Sequence, residues 1–224
     1  MNQRIALLSV VAALGLCTSG AHGQQRVIDP GLAKLAPGRG LRVTVTNRTV
    51  SGFTDGDRQG LRLSEGPAEG ATYLEGVEFA NGTIELDIRG KDVQGQSFVG
   101  LAFHGIDSAK YEAIYFCPFN FQTADSARHA HAVQYVSQPT DTWQKLRAEH
   151  PGIYEKAVNP APDPNDWFHA RVVVAGDRVS VFVNGATEPS LEVTRLSKST
   201  KGLVGLWVGN GSGGEFANLK IRPQ

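Results

Sequence analysis

The residues most able to do chemistry lie in a hairpin-like segment, residues 98–116. Alternation along its first strand places Val99, Leu101 and Phe103 on one face, which is typical of a core. The opposite face combines small residues with rings that carry polar tips, namely His104, Tyr111 and Tyr115. That combination suits a sugar, because a flat ring stacks on its C–H face while donors and acceptors meet its hydroxyls. The pattern predicts a carbohydrate groove; the alternative is that these rings simply pack beneath a loop.

A second candidate segment is residues 128–135, in which histidine, glutamine and tyrosine lie close together. A strand from His131 to Val136 is predicted there, with Gln134 and Tyr135 as candidate ligand-binding residues. His131 is a candidate hydrogen-bonding group or general base. Two histidines at positions i and i+2 can also bind one metal ion, and the candidates for such a site are His104, His129 and His131. The sequence itself requires no cofactor and identifies none.

The long connection at about residues 138–166 is expected to cover one end of the groove. A short helix is predicted over Asp141–His150, with Thr140 or Asp141 as its N-cap. Trp143 and Arg147 on this helix are candidate ligand-binding residues. Trp143 either stacks on a ligand or anchors the connection, and the sequence leaves both interpretations open.

The remaining elements supply the scaffold that would position these groups. Residues 167–223 are typical of successive hairpins, because β-branched residues alternate around one turn and Asn184-Gly185 marks a second. Earlier runs at 41–46, 71–79 and 83–89 also favour strands. Roughly a dozen short strands with almost no helix predict an all-β fold, a two-sheet antiparallel jelly-roll sandwich over residues 41–224.

Residues 1–23 have the features of a signal peptide. A positive start precedes an apolar run over residues 5–16, and small side chains mark a cleavage site after Gly23. We therefore expect an exported protein, periplasmic or secreted. No membrane span is expected after signal removal, since the apolar run is too short to cross a bilayer. Residues 24–40 are expected to form a lead-in to the domain.

Composition bounds the partners and the redox chemistry. Lys plus Arg and Asp plus Glu each number 22, so no basic surplus favours nucleic acid. Signal removal would separate Cys17 from Cys117 and leave no intramolecular disulfide. The apolar neighbours of Cys117 predict a buried residue rather than a nucleophile.

Several segments near the C-terminus resemble concanavalin A-like lectin and glucanase domains. The segments that carry this resemblance are WFHARV (167–172), GDR (176–178), VFVNG (181–185), GLVGLW (202–207) and FANLKI (216–221). Within that group the chain is most similar to the 3-keto-disaccharide hydrolase domain, whose early strand is matched by FANGTIELD (79–87). The resemblance covers residues 41–222 and implies a jelly-roll fold and a carbohydrate-related role in an exported protein.

The chain departs from family-16 glucanases at their catalytic strand. Those enzymes carry Glu-x-Asp-x-Glu or Glu-x-Asp-x-x-Glu, whereas this strand has Glu85, Asp87 and Arg89 and lacks the last acid. The two acids would share a face roughly 7 Å apart, and Arg89 beside them would keep both ionised. Because retaining hydrolysis needs one carboxyl group as a proton donor, this strand is predicted to be a charge-paired face.

Three hypotheses of function follow. The leading one is an exported domain that recognises a carbohydrate or glycoconjugate through a groove on one sheet face. The alternative is a glycoside hydrolase or lyase, with a 3-keto-glycoside as one candidate substrate. A keto group at C3 acidifies the C2 proton, so Glu112 or His131 as a general base could start an elimination without paired carboxylates. The third is a structural domain that packs on another exported protein through an exposed apolar patch.

Overall fold

Antiparallel strands make up most of the chain in a computed structural model that describes residues 27–35 and 42–224. The strands are β1 (Val43–Thr46), β2 (Val50–Asp55), β3 (Arg58–Leu63), β4 (Gly70–Phe79), β5 (Gly82–Arg89), β6 (Val99–Gly105), β7 (Tyr111–Phe116), β8 (Val133–Gln138), β9 (Glu155–Lys156), β10 (Phe168–Ala175), β11 (Arg178–Val183), β12 (Leu191–Thr194), β13 (Gly202–Val208) and β14 (Gly214–Pro223). The helices of this part of the chain are short: α1 (Ser126–His129), α2 (Trp143–Glu149) and two 3₁₀ turns, Leu32–Leu35 and Pro118–Asn120.

Two seven-stranded sheets stack on each other. The front sheet has the strand order β1-β4-β13-β6-β7-β8-β9, and the back sheet has the order β12-β11-β10-β5-β14-β3-β2. Neighbouring strands in the sequence lie in different sheets at several points, as β12 and β13 do, which is typical of a jelly roll. The predicted all-β, two-sheet antiparallel jelly-roll sandwich is confirmed.

The core lies between the sheets and follows the period of two. In β5 the buried residues Ile84, Leu86 and Ile88 alternate with less buried ones, as the sequence predicts. The rings of Phe116 on the front sheet and Phe168 on the back sheet meet with centroids 4.9 Å apart. Strands β6 and β7 differ because every residue in them is buried. Other segments therefore cover the outer face of the front sheet as well.

The connection after β8 provides part of that cover. Helix α2 begins at Trp143, and its N-cap is Thr142 instead of the predicted Thr140 or Asp141. The Thr142 hydroxyl accepts a hydrogen bond from Lys145 N at 3.4 Å. Strand β8 runs over Val133–Gln138 and starts two residues later than predicted. The chain then returns along the sheet edge, where Glu155 in β9 pairs with Gln134 in β8.

The N-terminal predictions fall mostly outside this structure. The predicted signal peptide, with Cys17, and the lead-in residues 24–26 and 36–40 lie outside the described residues. Within the described part of the lead-in, Ile28 forms a bridge to Ile221 on β14. Cys117 is buried as predicted, and burial raises the pKa of its thiol to about 12. Among the residues described, no helix has the length and hydropathy that crossing a membrane requires.

Candidate functional site

A cleft of about 310 Å³ opens on the outer face of the front sheet; we call it the front pocket. Its floor is formed by Tyr115, Val136 and Trp207. These side chains point away from the back sheet, since they alternate with core residues such as Phe116. The walls come from the β3–β4 connection, from α2 and from the β13–β14 connection, which contribute Glu69, Trp143, Arg147 and Asn210.

Strand register determines the floor. Trp207, Gly100 and Tyr115 are direct neighbours across β13, β6 and β7. The rings of Tyr115 and Trp207 stack with centroids 5.0 Å apart and an interplanar angle of 29°. A Cβ at Gly100 would lie 2.1 Å from the carbonyl oxygen of Ile114, so only glycine fits this close strand approach. The floor is therefore a fixed aromatic surface.

A carboxylate, Glu69, is held at the edge of the front pocket by a chain of hydrogen bonds. The indole Nε1 of Trp207 donates to the hydroxyl of Tyr111 at 3.1 Å, and that hydroxyl donates to Glu69. The side-chain amide of Gln138 donates to the other Glu69 oxygen at 3.3 Å. Burial, and next the charge of Glu69, raise the pKa of Tyr111, so its hydroxyl remains a donor. The arrangement fixes one acceptor beside the aromatic floor.

A cation, Arg147, lies on another wall. Its Nε donates to Glu155 at 2.5 Å and to Gln134 at 3.2 Å, which ties α2 to β8 and β9. The guanidinium carbon also lies 4.9 Å from the ring centroid of Trp143, a cation–π contact. His131 Nδ1 lies 2.8 Å from the same Glu155 oxygen that Arg147 contacts. Glu155 therefore links Arg147, which lines the front pocket, to His131, which lies outside the lining.

The structure corrects the predicted positions of two ring residues. His104 has a φ of 50°, next to an irregularity in the pairing of β13 with β6, so period-two alternation fails there. Its Nδ1 lies 2.8 Å from Glu112, whose side chain faces the core side of β7. Tyr135 also points inward, since it follows Gln134 by one residue. The expectation that His104 shares the outer face with Tyr115 is wrong, and Tyr135, a predicted ligand-binding residue, lies on the core side.

Glu112, the first predicted general base, is enclosed. Its oxygens accept hydrogen bonds from Tyr135 at 2.5 Å and from Arg195 Nε at 3.0 and 3.1 Å, and its side chain has no exposed surface. His104 Nε2 lies 2.7 Å from the carbonyl oxygen of Ala80, so that nitrogen carries a proton. This cluster of Glu112, His104, Tyr135 and Arg195, the inner cluster, ties the β12–β13 connection to the front sheet. It gives Glu112 no path to a ligand in the front pocket.

The inner cluster predicts a specific pH dependence of stability. Burial alone would raise the pKa of Glu112, but hydrogen bonds from His104, Arg195 and Tyr135 outweigh it, so this pKa falls below its ordinary value of 4.5. A lowered folded-state pKa stabilises the fold above the ordinary value, and this stabilisation is lost as the pH falls through the folded-state pKa. The Glu112→Gln variant lacks that contribution.

We therefore expect the difference in free energy of unfolding between wild type and Glu112→Gln to narrow as the pH falls below 4.5. Urea unfolding followed by tryptophan fluorescence, from about pH 7 to about pH 3, measures it. Glu192→Gln, at an exposed position on the back sheet, is the control. Its free energy of unfolding should differ from that of the wild type by a small amount that does not change with pH. A constant difference for Glu112→Gln across this range would contradict the assignment.

The predicted metal candidates are not brought together. His104 lies on the inner side of the front sheet, while His131 contacts Glu155 on the outer side. The sequence predicts that His129 and His131 share a strand face, but His129 ends helix α1 instead. In the described part of the chain no group of three or more His, Cys, Asp and Glu side chains could hold a metal ion.

The remaining candidates divide between the front pocket and its surroundings. Tyr115, Trp143 and Arg147 line the front pocket, whereas Tyr111 and Gln134 lie outside its lining and form hydrogen bonds with lining residues. Their roles in ligand binding remain predictions. Sequence reasoning missed Glu69, which lies in a Gly-Pro-containing connection that resembles an ordinary loop. It also missed Trp207, whose apolar strand is equally typical of a core.

The acidic strand of the back sheet is charge-paired. Glu85 forms an ion pair with Arg222, and Arg89 forms one with Glu215, with Arg89 Nε at 2.6 Å. Burial would raise the pKa of Asp87, but hydrogen bonds from His169 and Asn218 outweigh it and lower this pKa. The carboxylates of this face are paired with cations or hydrogen-bond donors, so the glucanase-type mechanism finds no support here.

Fold and site together define a class: a jelly-roll sandwich of the lectin-like kind, with a cleft on the outer face of one sheet. The chain belongs to the family described as the 3-keto-alpha-glucoside-1,2-lyase-like domain, whose sequence pattern matches residues 39–222. The resemblance seen in the sequence is thereby confirmed. No curated protein matches the chain in sequence.

Solved structures with the same fold are distant in sequence. The carbohydrate binding module CBM66 from Bacillus subtilis shares 19% identity, with a TM-score of 0.57 over 80% of this chain and 94% of that one. A Bacillus subtilis protein of unknown function with a galectin-like fold shares 14% identity, with a TM-score of 0.52 over 81% and 88%. The exoplasmic/lumenal domain of VIP36 in its Ca²⁺/Man-bound form shares 10% identity, with a TM-score of 0.55 over 89% of each chain. These similarities establish the fold alone.

Proposed function

We propose that the front pocket binds a sugar ring and that the chain is an exported carbohydrate-recognising domain. The observation that carries this proposal is the stacked Tyr115–Trp207 surface beside fixed polar groups of Glu69 and Arg147. A sugar needs an aromatic surface for its C–H face and rigid hydrogen-bonding groups for its hydroxyls. A volume of about 310 Å³ lies at the lower end of ligand pockets, which suits a single ring.

Independent support comes from solved structures with a similar fold. One solved structure of similar fold is a carbohydrate binding module, and another is of a Ca²⁺/Man-bound form. Export, to the periplasm or the exterior, is supported by the signal-like features of residues 1–23. The structural-partner alternative has less support, because the exposed large apolar side chains belong to separate segments and include Val45, Ile106 and Ile153.

The test of binding uses two aromatic residues of the front pocket. Trp143 is 40% exposed, so Trp143→Ala leaves the core intact, whereas Tyr115 is buried and Tyr115→Ala removes half of the aromatic floor. We expect each variant to bind sugar at least about tenfold more weakly, because an aromatic stacking contact is worth on the order of 1 kcal/mol beyond its buried area. Calorimetric titration with a panel of methyl glycosides and 3-keto-glucosides measures this.

Trp167→Ala is the matched control, because Trp167 stacks on Phe53 of the back sheet. It should leave sugar affinity unchanged. Unchanged affinity in both Trp143→Ala and Tyr115→Ala would contradict the proposal that the front pocket is the binding site.

A second candidate function is elimination from a 3-keto-glycoside, favoured by the family and by the carboxylate in the front pocket. Glu69 replaces Glu112 as the proposed base, because Glu112 is enclosed and His131 lies outside the lining of the front pocket. The C3 keto group acidifies the C2 proton, which passes to Glu69. The C1–C2 double bond forms, the glycosidic C1–O bond breaks, and the departing oxygen takes a proton to leave as the aglycone alcohol. The step needs no oxidant, because the substrate is already a ketone.

Nitrophenyl 3-keto-glucosides, incubated with the protein with and without a chelator, distinguish the two functions. Release of nitrophenol together with the sugar that carries the C1–C2 double bond supports elimination, since hydrolysis would release nitrophenol and leave a saturated 3-keto sugar. Binding without release in either condition assigns the chain to recognition alone.

A further inference from the structure

Arg48 is a buried cation, and all its hydrogen bonds run to main-chain carbonyl oxygens. It lies in the connection between β1 and β2 and is 9% exposed. Its five hydrogen bonds run to the carbonyl oxygens of Asn47, Pro67, Ala68, Gly209 and Ser212, at 2.6, 3.1, 2.7, 2.8 and 3.2 Å. A guanidinium is suited to this task, since it offers five N–H donors in a fixed planar fork.

Four of these carbonyls, all but that of Asn47, belong to the two connections that form one side of the front pocket. Pro67 and Ala68 precede Glu69 in the β3–β4 connection, and Gly209 and Ser212 flank Asn210 in the β13–β14 connection. The guanidinium therefore bridges two segments that are more than 140 residues apart in sequence. Direct contacts between them support the bridge: Asn210 Oδ1 accepts from Ala68 N at 2.7 Å, and Gly211 N donates to the carbonyl of Gly66 at 2.9 Å.

The backbone beside Glu69 is held in an unfavourable conformation. Ala68 has a φ of 59°, which costs a residue with a Cβ on the order of 1 kcal/mol. Gly70, on the other side of Glu69, approaches Arg48 so closely that a Cβ there would lie 2.4 Å from the Arg48 side chain. Strain of this kind persists only where surrounding contacts impose it, and it occurs often at ligand-binding sites. Arg48 and Asn210 provide the contacts that impose it here.

We propose that Arg48 is a positioning residue of the front pocket, which clamps the two connections together and thereby places Glu69 and Asn210 against a bound sugar. The expected effect of Arg48 on sugar affinity rests on the proposed function of the front pocket. The clamp itself, the link that Arg48 makes between the two connections, does not depend on any ligand.

Arg48→Met and Arg48→Lys test the clamp. Methionine keeps the aliphatic stem and removes every donor, whereas lysine keeps the charge but offers one nitrogen to carbonyls on two segments. We expect amide hydrogen exchange to become at least about tenfold faster across residues 64–70 and 209–213, with β10 and β11 unchanged. Sugar affinity should fall at least about tenfold in Arg48→Met, with Arg48→Lys in between.

Val181→Ala is the control, because Val181 is fully buried in the back sheet, remote from both connections. It should lower thermal stability without changing exchange in those connections or sugar affinity. Unchanged exchange in the two connections, or faster exchange throughout both sheets, would overturn the clamp. Faster local exchange with undiminished sugar affinity would overturn the positioning role. If the wild-type protein binds no sugar, the proposed function fails, and the exchange measurement still decides the clamp.

Discussion

Replacing Arg195 with methionine is expected to lower the free energy of unfolding by about 3–5 kcal/mol. The guanidinium and the Glu112 carboxylate are 7% and 0% exposed, so the substitution leaves a buried charge without its partner. Arg195 also donates to the carbonyl oxygens of Gly176, at 3.0 Å, and Ser199. The variant therefore loses the contacts that bind the β12–β13 connection to both sheets.

Chemical unfolding at neutral pH measures this effect, and Arg178→Met provides the control. Arg178 pairs with Glu192 on the neighbouring strands, but both side chains are largely exposed, so its removal should have little effect. The double variant Arg195→Met with Glu112→Gln should recover part of the loss, because the unpaired charge is then absent. Equal effects at Arg195 and Arg178 would show that the inner cluster contributes no more than a surface pair.

Glu69→Gln is expected to slow elimination of 3-keto-glycosides by about 10²–10⁴-fold, the usual contribution of a general base, if the chain has the proposed lyase activity. Glutamine keeps the shape of the side chain and an acceptor for Tyr111, so sugar affinity should change only a few-fold. Turnover of nitrophenyl 3-keto-glucosides and calorimetric affinity, measured on the same variant, separate the two effects.

Glu78→Gln is the matched control, because Glu78 lies on β4 of the same sheet and its exposed side chain pairs with Lys201. Its turnover should equal that of the wild-type protein. An active Glu69→Gln variant, in a wild-type protein that is itself active, would assign the base to another residue.

The scaffold could be predicted because its signals are local. Period-two alternation in β5 and the Asn184-Gly185 turn report directly on strand faces and chain reversal, and both residues of that turn have positive φ values of 49° and 74°. The aromatic floor was partly predictable for the same reason. Tyr115 alternates with core residues, and the small residues opposite it leave room for the Trp207 ring.

The rest of the site depends on contacts between distant segments, which alternation does not report. A single positive φ at His104 moves that ring from the predicted outer face to the inner cluster. Glu69 meets Tyr111 across 42 positions of sequence, and Arg48 meets Gly209 across 161. Such groups become recognisable only when the strand order that joins them is known.

The near-complete burial of the Tyr115 and Trp207 rings, 4% and 3% exposed, has a thermodynamic consequence for association. Those side chains have already lost their rotamer freedom in the free protein, so the proposed binding of a sugar on them would incur little further entropic penalty there. Such a penalty would arise instead at Trp143, which is 40% exposed and retains freedom to reorient. Stiffening helix α2 alone should therefore tighten association, with no new contact made.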